Sequence, residues 1–186
     1  MRRRLIFALV LLLDGCSSPS PALYTIAPVD GPTHANSPPV VLLEQVALEH
    51  YLERSQIVRS SENYRLDVMS NDWWGEPLSA MMSRVLVTEL GQRLPSSLVI
   101  SESGAISATP DATIALNIRR MDEDASGTLI LHAQVSVTLR KSARPAMRDL
   151  SFRVAPPTSG TAGEVAAISQ ALGQLADAIA GLIAQR

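Results

Sequence analysis

The residues with the greatest chemical capacity are few and far apart. The chain of 186 residues holds one cysteine, Cys16, and three histidines, His34, His50 and His132. A cysteine can be a nucleophile, a metal ligand or a point of covalent attachment, and the first two roles need partners. A zinc site takes three or four convergent ligands, and no HExxH, CxxC or carboxylate–histidine spacing occurs. No G-x-S-x-G elbow, P-loop or Rossmann fingerprint is present either. His132 lies in an alternating segment, where a solvated or satisfied strand histidine accounts for it. Asp122, Glu123 and Asp124 run into Ala125-Ser126-Gly127, a turn composition, so a solvated loop explains them, with weak cation binding as the alternative. The expectation is therefore no catalytic residue, no metal and no cofactor. The enzymatic alternative, an envelope hydrolase with a triad gathered from distant positions, has no motif in its favour.

One cysteine cannot form an internal disulfide, so the fold must stand on packing, and a chain of this length suits one ordinary domain. The formal net charge is -2 and no Lys/Arg cluster lies beyond Arg2, Arg3 and Arg4, which argues against nucleic acid as a partner. Aromatic residues make up only 4% of the chain, too few for a stacking platform.

The three arginines precede nine apolar residues, 5–13. A membrane span needs about 20, so residues 1–15 read as a secretory signal. The run ends in Leu13-Asp14-Gly15-Cys16, which resembles the bacterial lipobox; Asp14 departs from the small or apolar residue usual there. The resemblance implies that Cys16 is lipidated and becomes the first mature residue, with several acyl chains giving stable attachment. Simple secretion with a free thiol is the alternative. By resemblance to bacterial sorting rules, Ser17 lacks the aspartate that retains lipoproteins at the inner membrane, which implies an outer-membrane address facing the periplasm.

Residues 17–39 contain six prolines with scattered Ser, Gly and Asn. Proline fixes φ and removes a donor, so residues 16–39 are expected to be a lipidated tether, with Leu23-Tyr24-Thr25-Ile26 docking as an edge strand. The body, 40–186, opens with a strand over 40–48, then a hairpin over 57–69 turning at Ser61-Glu62-Asn63. From Pro77, Leu78, Met81, Met82, Val85, Leu86, Leu90 and Leu94 recur by threes and fours, which predicts a helix ending before Pro95. A short strand over 98–101 follows. Segments around 114–118, 129–139 and 150–154 alternate apolar and polar residues and predict an antiparallel meander. Its outer face would carry Asn117, Arg119, His132, Gln134, Ser136 and Thr138. Thr161-Ala162-Gly163-Glu164 matches a capping box before Val165, Ile168, Leu172, Leu175, Ile179 and Leu182, a second helix. Small residues on its other faces, among them Ala178 and Gly181, allow close packing in the subunit or against a partner. The predicted class is α+β, a mostly antiparallel sheet with both amphipathic helices on one face.

Tyr51-Leu52-Glu53-Arg54-Ser55-Gln56-Ile57-Val58-Arg59, then Asn63-Tyr64-Arg65-Leu66 and Trp74-Gly75-Glu76-Pro77-Leu78, closely resembles the ABC-type transport auxiliary lipoproteins. The family's usual Thr between Val58 and Arg59 is missing here, and Trp73 doubles the tryptophan. The resemblance implies a non-enzymatic component of an MCE-type lipid transport apparatus, meeting a periplasmic MCE-domain protein of an ABC-type or Pqi-type transporter at the outer membrane. Homo-oligomerisation suits that arrangement, because MCE proteins form rings. Tyr51, Arg54, Gln56, Arg59, Trp73 and Trp74 are the candidate partner-binding residues, since Trp and Arg are enriched in hot spots. The competing account is structural: Trp74 packs over the helix start and Glu76 answers the helix dipole. A carrier that binds a lipid chain between helices and sheet is the second functional reading.

Overall fold

The computed structural model describes residues 20–142 and 144–185. Cys16 and the expected signal lie outside the described residues. The elements, in chain order, are β1 (Ala22–Tyr24), β2 (Val40–Leu43), β3 (Ala47–Leu48), a 3-10 turn (His50–Leu52), β4 (Gln56–Ser60), β5 (Asp67–Trp74), α1 (Leu78–Arg93), β6 (Leu98–Ser101), β7 (Ala112–Glu123), β8 (Leu129–Leu139), β9 (Ala146–Val154) and α2 (Thr161–Ala184).

The class is α+β with two helices, but the sheet is mixed, which corrects the expected antiparallel arrangement. β7 is its axis. One edge of β7 pairs antiparallel with β8 from Ala112 opposite Leu139 to Glu123 opposite Leu129. The other edge is taken in turn by β2, β3 and β4, all parallel to it. β6 extends the sheet beyond β2, also in parallel, while β5 joins β4 antiparallel and β1 joins β5 in parallel. Period-two alternation shows which face of a strand is buried. It carries no information about strand direction.

The alternating residues behave as the pattern requires. Ile114, Leu116 and Ile118 of β7 stand beside Val137, Val135 and Ala133 of β8 and are buried, whereas His132, Gln134 and Thr138 are exposed on the opposite face. The apolar rows of both helices, including Met82, Leu86, Leu90, Leu172, Leu175 and Ile179, join these strands in one core. α2 has the length and apolarity of a membrane span, yet β7, β8, β9 and α1 cover it, and even Gly163, Ala167 and Ala171 are buried. The small residues therefore serve packing within the subunit over most of the helix.

Two local expectations fail for stated reasons. The N-cap of α2 is Gly160, at φ 86°, and no side chain caps it. The Thr161 hydroxyl donates instead to Asp72 of β5, and Glu164 turns into the core. The proline-rich stretch is also more than an extended leader, because from Ala22 it is bound to the body. Ile26 is buried and its N–H meets Met81 Sδ at 3.1 Å; the Val29 N–H donates to Glu89 Oε1 at 2.8 Å; the His34 N–H donates to the carbonyl of Arg93 at 2.7 Å. Proline leaves most backbone carbonyls free to accept, and Arg93 uses one. Fully buried, its guanidinium donates to the carbonyls of Val29, Glu89 and Gly173 and pairs with Asp177. Gly31 sits so close that a Cβ there would stand 2.3 Å from both Arg93 and Asp177.

The β4–β5 turn has Asn63 at φ 56° and Tyr64 at φ 60°, and the Arg65 N–H returns to the Glu62 carbonyl at 3.1 Å. This left-handed pair is the geometry of a two-residue hairpin turn, for which glycine is the favoured second residue. Tyr64→Gly is expected to raise unfolding stability by about 0.5–1 kcal/mol, since relief of left-handed strain exceeds the added chain entropy; urea denaturation measures it. Arg93→Met is expected to lower stability by about 2–4 kcal/mol, because it leaves the carbonyls of Val29, Glu89 and Gly173 without their donor, while the partly exposed Asp177 turns to water. The same titration, with limited proteolysis of residues 22–39, checks that loss.

Candidate functional site

The six candidate partner-binding residues do not gather into one site. Tyr51, on the 3-10 turn, donates its hydroxyl to Asp122 Oδ2 at 2.8 Å. Asp122 is fully buried, and its other oxygen accepts from Arg120 Nε at 2.8 Å, while Arg120 Nη2 donates to Glu62 Oε1 at 2.7 Å. A register shift between Ile118 and Arg120 makes this arrangement: Met121 takes up the buried row of Ile118, and Arg120 and Asp122 turn to the opposite face of β7, Arg120 opposite His132. Burial, then the charge and the hydrogen bond of Asp122, drive the Tyr51 phenol far above its usual range. It is a fixed neutral donor.

Arg54 is exposed and donates from Nε to the Tyr51 carbonyl at 3.1 Å. It shares a cavity of about 470 Å³ with Trp74, Glu76 and Pro77 at the start of α1. Trp74 is buried in the core, and its backbone N–H donates to Ser55 at 2.7 Å, so the structural account holds for its ring. Glu76 pairs with Arg84 at 2.6 Å, and α1 has no acid in its first turn. Gln56 and Trp73 face each other across β4 and β5, both half-buried, and Trp73 Nε1 donates to the Ser70 carbonyl at 3.1 Å.

Arg59 belongs to a third place, and here lies what sequence reasoning missed. It lines an open cavity of about 460 Å³ with Glu123, Pro156 and Gly160. Behind it Glu164 is fully buried, 3.8 Å from Arg59 Nε, and among the described residues neither carboxylate oxygen has a hydrogen-bond partner. Burial, reinforced by Glu123 and opposed by Arg59, raises the Glu164 carboxyl to about 8. Glu123 is itself raised, chiefly by burial. Glu89, under the proline-rich strap, is raised to about 7 by burial despite the Val29 N–H and Arg93. The signal was available: Glu164 stands four residues before Ile168 on the apolar row, and the capping-box spacing concealed it.

The outer face of the sheet bears polar side chains around two open cavities. A cavity of about 410 Å³ is bordered by Asn117, Gln134 and Ser136, and a neighbouring one of about 570 Å³ by Tyr51, Arg119, Arg120 and His132; Asp149 borders both. Among the described residues, no three His, Cys, Asp or Glu side chains are grouped to hold a metal.

These features define an α+β module whose buried charges serve its own architecture and whose displayed groups are spread over open surfaces. The chain belongs to the family of ABC-type transport auxiliary lipoprotein components, whose model matches residues 23–180. The fold is similar to that of a crystallised protein described only as uncharacterized, with TM-score 0.74 and 18% identity over 89% of this chain and 99% of that one. It is also similar to a Xanthomonas campestris protein described by the family model DUF330, with TM-score 0.68 and 17% identity over 86% of this chain and 93% of that one. No match was found among curated proteins.

Glu164 gives the protein a defined pH response. Its ordinary value is 4.5 and its folded value about 8, so the native state holds a proton that the unfolded chain releases in between. Its contribution is greatest below about 4.5 and is lost as pH rises to about 8. Glu164→Gln is expected to flatten this fall, measured as urea midpoints across that window.

Proposed function

We propose that this protein is a non-enzymatic lipoprotein of the outer membrane that docks the periplasmic MCE-domain protein of an ABC-type or Pqi-type lipid transporter. The family match over residues 23–180 carries the reading. The lipobox-like Leu13-Asp14-Gly15-Cys16 supplies the anchor and Ser17 the outer-membrane address, with the body facing the periplasm. The docking surface is assigned to exposed and half-exposed groups around the motif: Arg54, Gln56, Trp73 and the rim of Tyr51 and Arg59. Trp74 supports them from below. A homo-oligomer would present several copies of this surface to a ring-shaped partner.

A lipid carrier has less support, because Met81, Met82, Leu86, Leu90, Leu172 and Ile179 fill the space between helices and sheet. A lipid chain there would have to displace them.

Affinity purification of the lipidated full chain from membranes is expected to bring the MCE-domain protein with it. Recovery of the lipidated chain alone, under conditions that preserve the transporter, counts against the reading. Trp73→Ala is expected to weaken that association about tenfold or more while the fold is kept. Cys16→Ser should move the protein from the membrane to the soluble periplasmic fraction; persistence in the membrane would remove the anchor.

A further inference from the structure

The direction of β1 fixes which end of the molecule meets the anchor. β1 runs parallel to β5, with Ala22 opposite Asp72 and Leu23 opposite Trp73. The chain coming from Cys16 thus enters from the side on which β5 begins, and that side carries the β4–β5 turn. Gln56 lies opposite Trp73, and the turn starts at Glu62, six residues further along. At about 3.3 Å per residue the tip stands about 20 Å beyond Leu23. Cys16 precedes Leu23 by seven residues, which reach about 25 Å when fully drawn out. Where the chain from Cys16 continues the line of β1, the tip is nearly level with the attachment point even at that limit, and a shorter path brings it against the surface that holds Cys16.

The side chains at the tip suit a lipid surface. Tyr64 is fully exposed and keeps a left-handed backbone where glycine would be relaxed. Leu66 is exposed two residues on, with Arg65 between them. A tyrosine ring partitions into the interfacial layer with its hydroxyl on the wet side, and an arginine lays its stem on apolar surface while its head meets phosphate. Leu23 is 67% exposed on the strand that leads from the anchor. Asp67, at the start of β5, is also exposed and adds its charge to those near Glu123 and Glu164.

We propose that the β4–β5 hairpin tip, through Tyr64 and Leu66, rests in the headgroup layer of the bilayer that holds Cys16 and so orients the domain on its anchor. This contact rests on the reading of Cys16 as lipidated.

The test uses the lipidated full chain in vesicles of phosphatidylethanolamine and phosphatidylglycerol, with an environment-sensitive dye on Tyr64→Cys or, at the opposite end, on Lys141→Cys. Lipidation blocks Cys16, so only the introduced thiol reacts. The dye at 64 is expected to shift to the blue and to be quenched by nitroxide-bearing lipid, and the dye at 141 to do neither. Equal exposure of both positions in protein that floats with the vesicles overturns the contact and leaves the anchor standing. Failure to float overturns the anchor and this contact together. Shielding of position 64 only after addition of the MCE-domain protein replaces the membrane by a protein partner and also overturns it. In a Leu66→Cys reporter, where the dye stands beside Tyr64 and does not take its place, Tyr64→Gly is expected to reduce the blue shift while the fold becomes more stable; an unchanged shift counts against Tyr64 as the contact.

Discussion

Everything in this fold depends on both edges of β7 being hydrogen-bonded. A buried strand cannot leave its N–H and C=O groups unpaired without a penalty of about 1–3 kcal/mol for each, and β7 crosses the core. β8 fills one edge by simple hairpin return. No single strand fills the other: β2, β3 and β4 do so in sequence, as short parallel segments. Between β3 and β4 the chain rises into the 3-10 turn His50–Leu52, which brings Tyr51 over Asp122. The motif residues thus stand at a kink imposed by the need to complete the β7 edge, and they point in different directions because of it.

Buried charge is placed where elements join. Arg93 receives the proline-rich strap, the end of α1 and the middle of α2 in one guanidinium. Arg120 and Asp122 join β7 to the β4–β5 turn through Glu62 and to the 3-10 turn through Tyr51. Glu164 is the exception. Among the described residues its oxygens have no hydrogen-bond partner, and Arg59 stands 3.8 Å away, so α2 begins over a carboxyl that favours its proton. The helix starts there because Gly160 permits the required φ of 86° and the backbone of Thr158 leaves no room for a side chain at Gly163.

Helices and faces were legible in the sequence, because burial leaves a period. The spacing from Leu78 to Leu94 marked α1, and Ile114, Leu116 and Ile118 marked the buried side of β7. Partner choice left no such trace: Val40-Val41-Leu42-Leu43 reads the same whether its neighbours are parallel or antiparallel. The strap was obscured by composition, since its prolines suggest a solvated tether, while the Val29 carbonyl among them accepts from Arg93. For the site, Arg59 was legible as a motif residue, but Glu164 and Glu123 were not, because their meeting depends on how α2 lies across β7. Trp74 could be placed from its neighbour Pro77 at a helix start, whereas the surroundings of Tyr51 required the register shift after Ile118.

The response of the domain to a pull on its N-terminal strand follows from the same geometry. A pull on the chain ahead of Ala22 runs along β1, and the hydrogen bonds joining β1 to β5 lie across that line, so they bear the load together in shear. Whatever passes beyond Tyr24 meets Ile26 in the core and then the Arg93–Val29 contact. The strap therefore passes a pull on the chain ahead of it to both helices as well as to a strand edge.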